Sequence, residues 1–185
     1  MRLFCAAAAM GALFLAMAAL SVSAAYMEPI DQFKDAEPLE GLAVVRVSLS
    51  FEPSGGHTGD TRSPDVTVIL CKTATKKHIS AVRKTGNILA GQIGPYRALF
   101  SDIEFMAGRA REHRISDTVS DNGTFVIKNV PPEGSYFVYG AYRNDSTAGY
   151  WLLPVTVTEA KTYEITLTEK NAKEIYHRGG REQQK

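Results

Sequence analysis

Two rhythms divide the chain. Apolar and polar positions alternate through most of it, and steps of three and four take over in one central stretch. From Gly41 the period is two. In 42–51 (LAVVRVSLSF), Ala43, Val45, Val47, Leu49 and Phe51 share a face. In 65–72 (DVTVILCK), Val66, Val68 and Leu70 alternate with Thr67, Ile69 and Cys71. Both faces there carry apolar side chains, which predicts a strand covered on both sides or central in a sandwich. Residues 114–120 and 124–129 flank Asp121-Asn122-Gly123. Asn-Gly between alternating runs predicts a tight hairpin, because both residues tolerate positive φ. The next turn is Val130-Pro131-Pro132-Glu133-Gly134, with Pro131 and Gly134 expected to fix it. Segment 135–143 places Tyr136, Val138 and Tyr142 on one face and Phe137, Tyr139 and Ala141 on the other. In 150–158, Trp151, Leu153, Val155 and Val157 fall together. Pro154 cannot donate to a ladder, so this segment is expected at an edge or a bulge. Segment 162–168 alternates through Tyr163, Ile165 and Leu167. Seven short strands with regular turn signals predict an all-β sandwich.

Residues 73–113 break that rhythm. Apolar or small side chains fall at 79, 82, 86, 89, 93, 96, 100, 103, 107 and 110, a helical stripe. Gly91, Gly94 and Pro95 interrupt it, so two helices are expected. One covers about 75–90, capped by Thr73 or Thr75. The other runs from Pro95, a favoured first helical residue, to about 111. Gly86 and Gly108 lower helix propensity and mark expected breaks. The hairpin either packs its stripe on the sandwich or, where the stripe is left uncovered, docks another chain.

Length and composition then set the compartment. At 185 residues, with 44% hydrophobic and 22% charged residues, one globular domain is the default. Residues 1–24 read as a signal peptide: Arg2, an apolar run from Phe4 to Leu20, then Val22-Ser23-Ala24 for the peptidase. No later stretch is apolar enough to span a bilayer. Export to a bacterial periplasm or cell surface follows, with no membrane span in the mature chain. Residues 25–40 hold five acids, one Lys and two prolines and read as a linker. The sandwich is assigned to 41–168, and 169–185 to a polar tail. The mature chain keeps one cysteine, Cys71, read as a buried strand residue.

Net charge is +1, which gives no field for nucleic acid. Its distribution is uneven. Residues 73–114 contain eight Lys and Arg against Asp102, Glu104 and Glu112. Lys76, Lys77, Arg83 and Lys84 head that excess and are candidates for contact with an anionic partner.

The second half of the chain resembles a known family. Ser120-Asp-Asn-Gly-Thr-Phe-Val-Ile127 looks like the TDxxGxFxF hairpin of carboxypeptidase regulatory-like domains, and Asn129-Val-Pro-Pro-Glu-Gly-Ser-Tyr136 like the xLPPGxY that follows it. Trp151 to Val157, then Lys161-Thr162 and the strand to Leu167, resemble the family's closing segment. Glu133 intrudes on the pattern, and the helical insert departs from its simplest members. The resemblance implies a prealbumin-like (Ig-like), seven-stranded antiparallel sandwich of carbohydrate-binding-like type, in which Asn122, Gly123, Pro131 and Gly134 serve turns. It implies an accessory module of an exported or surface protein, bound to glycan or to a partner protein.

No nucleophile elbow, zinc signature, P-loop or dinucleotide fingerprint occurs, so no catalytic residue, metal or cofactor is assigned. A hydrolase would need two or more of His57, His113, Asp117 and Cys71 to converge in one pocket. The transthyretin-like hydrolases end in Tyr-Arg-Gly-Ser. Here Tyr176-His177-Arg178-Gly179-Gly180 has an inserted His and lacks the Ser. For a glycan, stacking rings and hydroxyl partners are the requirement. Tyr139, Tyr142, Tyr150 and Trp151, with Arg143 and Asn144, cluster in sequence around the 144–149 loop. The leading expectation is a non-catalytic module binding a glycan, an envelope polymer or a partner protein. The alternative is a structural subunit docking another protein through 73–113.

Overall fold

The computed structural model describes residues 38–50 and 64–178. Expectations placed on 1–37, on Phe51 and the His57 loop, and on 179–185 lie outside the described residues.

Each alternating run becomes a strand. β1 is Ala43–Ser50, β2 Asp65–Lys72, β3 Thr118–Asp121, β4 Thr124–Val130, β5 Gly134–Arg143, β6 Thr147–Val157 and β7 Thr162–Thr168. Between β2 and β3 lie two helices, α1 (Lys76–Ile93) and α2 (Pro95–Glu112). The strands form two four-stranded sheets, one ordered β3-β4-β1-β7 and the other β2-β5-β6-β8.

The eighth strand corrects the expected seven. β8 (Glu174–His177) lies in the stretch read as a polar tail. Thr168 accepts from the Asn171 backbone and caps a 3-10 turn at Glu169–Asn171, which returns the chain to pair with Thr147–Tyr150 of β6. Four residues are too few to show a period. The sheets are also not wholly antiparallel, because β1 pairs with β7 in parallel from Val44↔Thr162 to Ser50↔Thr168. β8 covers only the first part of β6, so Pro154 sits where the missing N–H is not needed by an outer neighbour.

One sheet is buried on both faces. Val68, Leu70, Val138 and Trp151 point toward Val45, Val47, Ile127 and Leu167 of the other sheet. On the reverse face Ile69, Cys71, Phe137, Tyr139 and Leu152 meet Ile79, Leu99, Ile103, Met106 and Ala110 of the helices. The result is a sandwich-like pair of sheets with a helical layer outside one of them. Each fully buried large side chain contributes roughly 1.5–3 kcal/mol by leaving water.

Asn122 (φ 49°) and Gly123 (φ 81°) both take positive φ at the β3–β4 turn. At the next turn Glu133 (φ 60°) takes the left-handed position, not Gly134. Gly134 is small for another reason. A Cβ there would lie 2.3 Å from the Tyr136 ring, whose hydroxyl donates to the Pro131 carbonyl at 2.8 Å. Neither Thr73 nor Thr75 caps α1 with its side chain; Thr75 Oγ1 donates backward to the Lys72 carbonyl at 2.7 Å. Both helices run unbroken through Gly86 and Gly108.

Candidate functional site

The rings expected to stack on sugar are inside the protein. Tyr139, Tyr142, Tyr150 and Trp151 are all at most 8% exposed. Strand alternation does place them on both faces of the sheet, but both faces are covered. Tyr142 and Trp151 belong to the inter-sheet cluster, and Trp151 Nε1 donates to the Thr168 carbonyl at 2.7 Å. Tyr139 and Tyr150 lie under the helices, and the Tyr139 hydroxyl donates to the Ile103 carbonyl at 2.9 Å. Burial pushes the phenol pKa up for both.

The polar half of that expectation is committed elsewhere. Asn144 Oδ1 accepts from the backbone of Ser146 (3.0 Å) and Thr147 (2.6 Å), closing its own loop. Arg143 pairs with Asp65 and lies 3.7 Å from Glu104, its guanidinium 5.0 Å from the Phe100 ring centre. The rings near this loop come instead from Tyr96, Phe100 and Tyr176. Tyr96 donates its hydroxyl to the Asn144 carbonyl at 2.6 Å, with Phe100 and Tyr176 about its ring at 5.9 and 6.1 Å and Arg178 at 6.0 Å.

The hydrolase residues do not assemble. His57 lies outside the described residues. Cys71 is fully buried, its thiol directed at the Ala110 carbonyl (3.4 Å) and pushed up to about 12 by burial. A thiol so raised is inert at neutral pH. His113 ends α2 beside the His78 ring at 5.9 Å, and Asp117 pairs with Arg114 at 3.1 Å. His177 comes nearer to a catalytic arrangement, with Nδ1 3.1 Å from Thr147 Oγ1 and Nε2 3.7 Å from Glu169. Thr147, however, is 1% exposed, so that hydroxyl has no approach for a substrate. Among the described residues no three His, Cys, Asp or Glu gather as metal ligands.

The helical layer holds the feature that the strands lack. Ile79, Arg83 and Gly86 form the buried side of α1, at helical spacing i, i+4, i+7. Arg83 was expected to face an anionic partner; it is 8% exposed and its partners are internal. Its Nη1 donates to Asp102 of α2 at 2.8 Å, and Nε and Nη2 donate to both carboxylate oxygens of Glu174 in β8, the Nε bond at 2.7 Å. These bonds, those to Glu174 foremost, hold the guanidinium still more firmly charged against the opposing effect of burial. Gly86 makes room for the cluster, since a Cβ would sit 1.4 Å from an Asp102 oxygen. Sequence reading missed this staple because Glu174 lies in the stretch read as tail. The available signal was an Arg on the same face as Ile79 and Gly86.

Beyond Gly86 no residue of α1 is buried. Of the predicted stripe, the two ends (79 and 86; 103, 107 and 110) are covered. Its middle is not: Leu89 is 40% exposed, Ile93 44% and Phe100 36%. Ile88 (76%) and Phe105 (65%) add to the uncovered apolar surface. Between the helices runs a groove of about 560 Å³ lined by Val82, Leu89, Phe105 and Gly108, with Asp102 in its wall. Lys77 and Lys84 stand exposed on α1, and Lys76 is half-buried at its start.

No protein-family model matches the chain, and no match appears among the curated proteins or the solved structures. No helix among the described residues is long and apolar enough to cross a membrane.

Proposed function

We propose that this chain is a non-catalytic interaction module, exported to a bacterial periplasm or cell surface, whose contact element is the outward face of the α1–α2 hairpin. The observation that carries this reading is the uncovered middle of the helical stripe. A two-turn helix end rich in Gly and flanked by bulky aliphatics is not stable on its own account. Contiguous exposed apolar surface on an exported domain is the usual mark of a contact site. In this reading the sandwich, of carboxypeptidase regulatory-like and prealbumin-like type, is the rigid platform, and the hairpin is the elaboration that confers contact. The glycan reading loses ground because its rings are buried, and because guanidinium groups already approach the rings of Tyr96 and Phe100.

The test is site-specific photocross-linking in the producing cells. A photoreactive side chain replaces Ile88 or Phe105 on the hairpin, or Arg46, which is exposed on the far sheet. Adducts at 88 and 105 in excess of those at 46 are expected. Equal yields at all three positions would sink the proposal.

A further inference from the structure

Resting on that reading of the hairpin as the contact element, we infer that what it contacts is an anionic lipid surface. The charge around Ile88, Leu89 and Ile93, the exposed apolar residues of α1, is one-sided. From Lys76 to Ser101 the sequence contains no acid and five Lys and Arg. Arg83 is spent on Asp102 and Glu174. Lys76, Lys77, Lys84 and Arg97 have no ion-pair partner among the described residues. The acids of α2 are each engaged: Asp102 with Arg83, Glu104 with Arg143, Glu112 with Arg109. Asp145, in the loop that Tyr96 anchors to, is an exposed acid at the tip end.

Cations and apolar groups also share faces. Lys77, Lys84 and Ile88 recur at i, i+7, i+11 on α1, all exposed, and Arg97 stands exposed on the first turn of α2. Aliphatic side chains beside long cationic ones, whose stems can lie along an apolar surface while the charge reaches headgroups, suit a bilayer interface. Ile88 and Ile93 stand at the end of the hairpin outside the groove, where a single helix laid in the groove would leave them wet. A second copy is a poor occupant, since it would set two like-charged faces together. Tyr96 and Tyr176, half-buried at the same end, are side chains of the kind that sit at headgroup level.

The probe is flotation of the processed chain with vesicles of phosphatidylcholine alone or with one third phosphatidylglycerol. Binding to the anionic vesicles only, released by salt, is expected. Lys84→Glu with Arg97→Glu should weaken it by about 25-fold or more, at roughly fivefold per cation. Ile88→Ser with Ile93→Ser should weaken it about as much with charge unchanged. Thermal melts of both variants should match the parent, because none of the four residues is buried. Equal binding to both vesicles, no binding, or indifference to these substitutions overturns the inference. If anionic vesicles are not bound while cross-links at 88 and 105 capture protein, the lipid surface is wrong and the contact face stands. If neither occurs, both fall.

Discussion

The two faces of the β2-β5-β6-β8 sheet are patterned alike and finished differently. Toward the second sheet, apolar residues of β2, β5 and β6 are matched along their length, and Val45, Val47, Leu70, Val138 and Trp151 are all essentially sealed. Toward the helices, cover is supplied mainly by α2. α1 adds Ile79 and a charged staple, then projects with Leu89 and Ile93 in the open. Binary patterning records which side chains are apolar, not how far the covering element reaches. A sheet covers its partner strand by strand, whereas a helix covers only the residues within reach of one side. The sheet is thus sealed on both faces, and what stays open is the outer side of the helical layer, where the proposed contact lies.

The contrast breaks most visibly at Trp151. It is fully buried, fills the inter-sheet space and satisfies its N–H on Thr168. Trp151→Ala removes both the packing and that bond and should cost about 3–5 kcal/mol, read from urea unfolding. A loss below about 1 kcal/mol would show that the inter-sheet cluster is not the main store of stability.

The intermediate effect lies in the staple joining α1, α2 and β8. Arg83→Ala leaves Asp102 buried without its counter-charge, and about 3 kcal/mol of destabilisation is expected. The double variant Arg83→Met/Asp102→Leu should recover most of that loss, because it removes both buried charges and leaves Glu174 the freedom of a partly exposed group. If the double variant is as unstable as the single one, the staple contributes through shape and not through paired charge.

These elements also show what the sequence could convey. The strand faces were legible residue by residue: Tyr136, Val138 and Tyr142 against Phe137, Tyr139 and Ala141 fall in the two clusters as alternation requires. The hairpin turn at Asn122-Gly123 was legible because positive φ selects for those residues. β8 was not, being short, polar at its ends and held by a capped turn instead of a pattern. The aromatic site failed for a related reason. Sequence shows that Tyr139, Tyr142, Tyr150 and Trp151 are near one another but not that a helical layer closes over the outer face. Leu89, Ile93 and Phe100 were visible as part of a stripe, while their exposure depended on how much of the hairpin other elements cover.

The smallest effect is the sharpest test of the comparison. Leu89→Ser and Phe105→Ser change side chains that are 40% and 65% exposed and line the groove. In an ordinary helix layer each would remove some burial and cost stability. Here the solvent already reaches both, so each should cost no more than about 1 kcal/mol of unfolding free energy. An increase in solubility at high concentration should accompany the change, because an exposed apolar patch is reduced. A loss above about 1.5 kcal/mol in either variant would mean that the groove is closed in solution by part of the chain itself. The division between a sealed sheet and an open contact side would then fail at the hairpin.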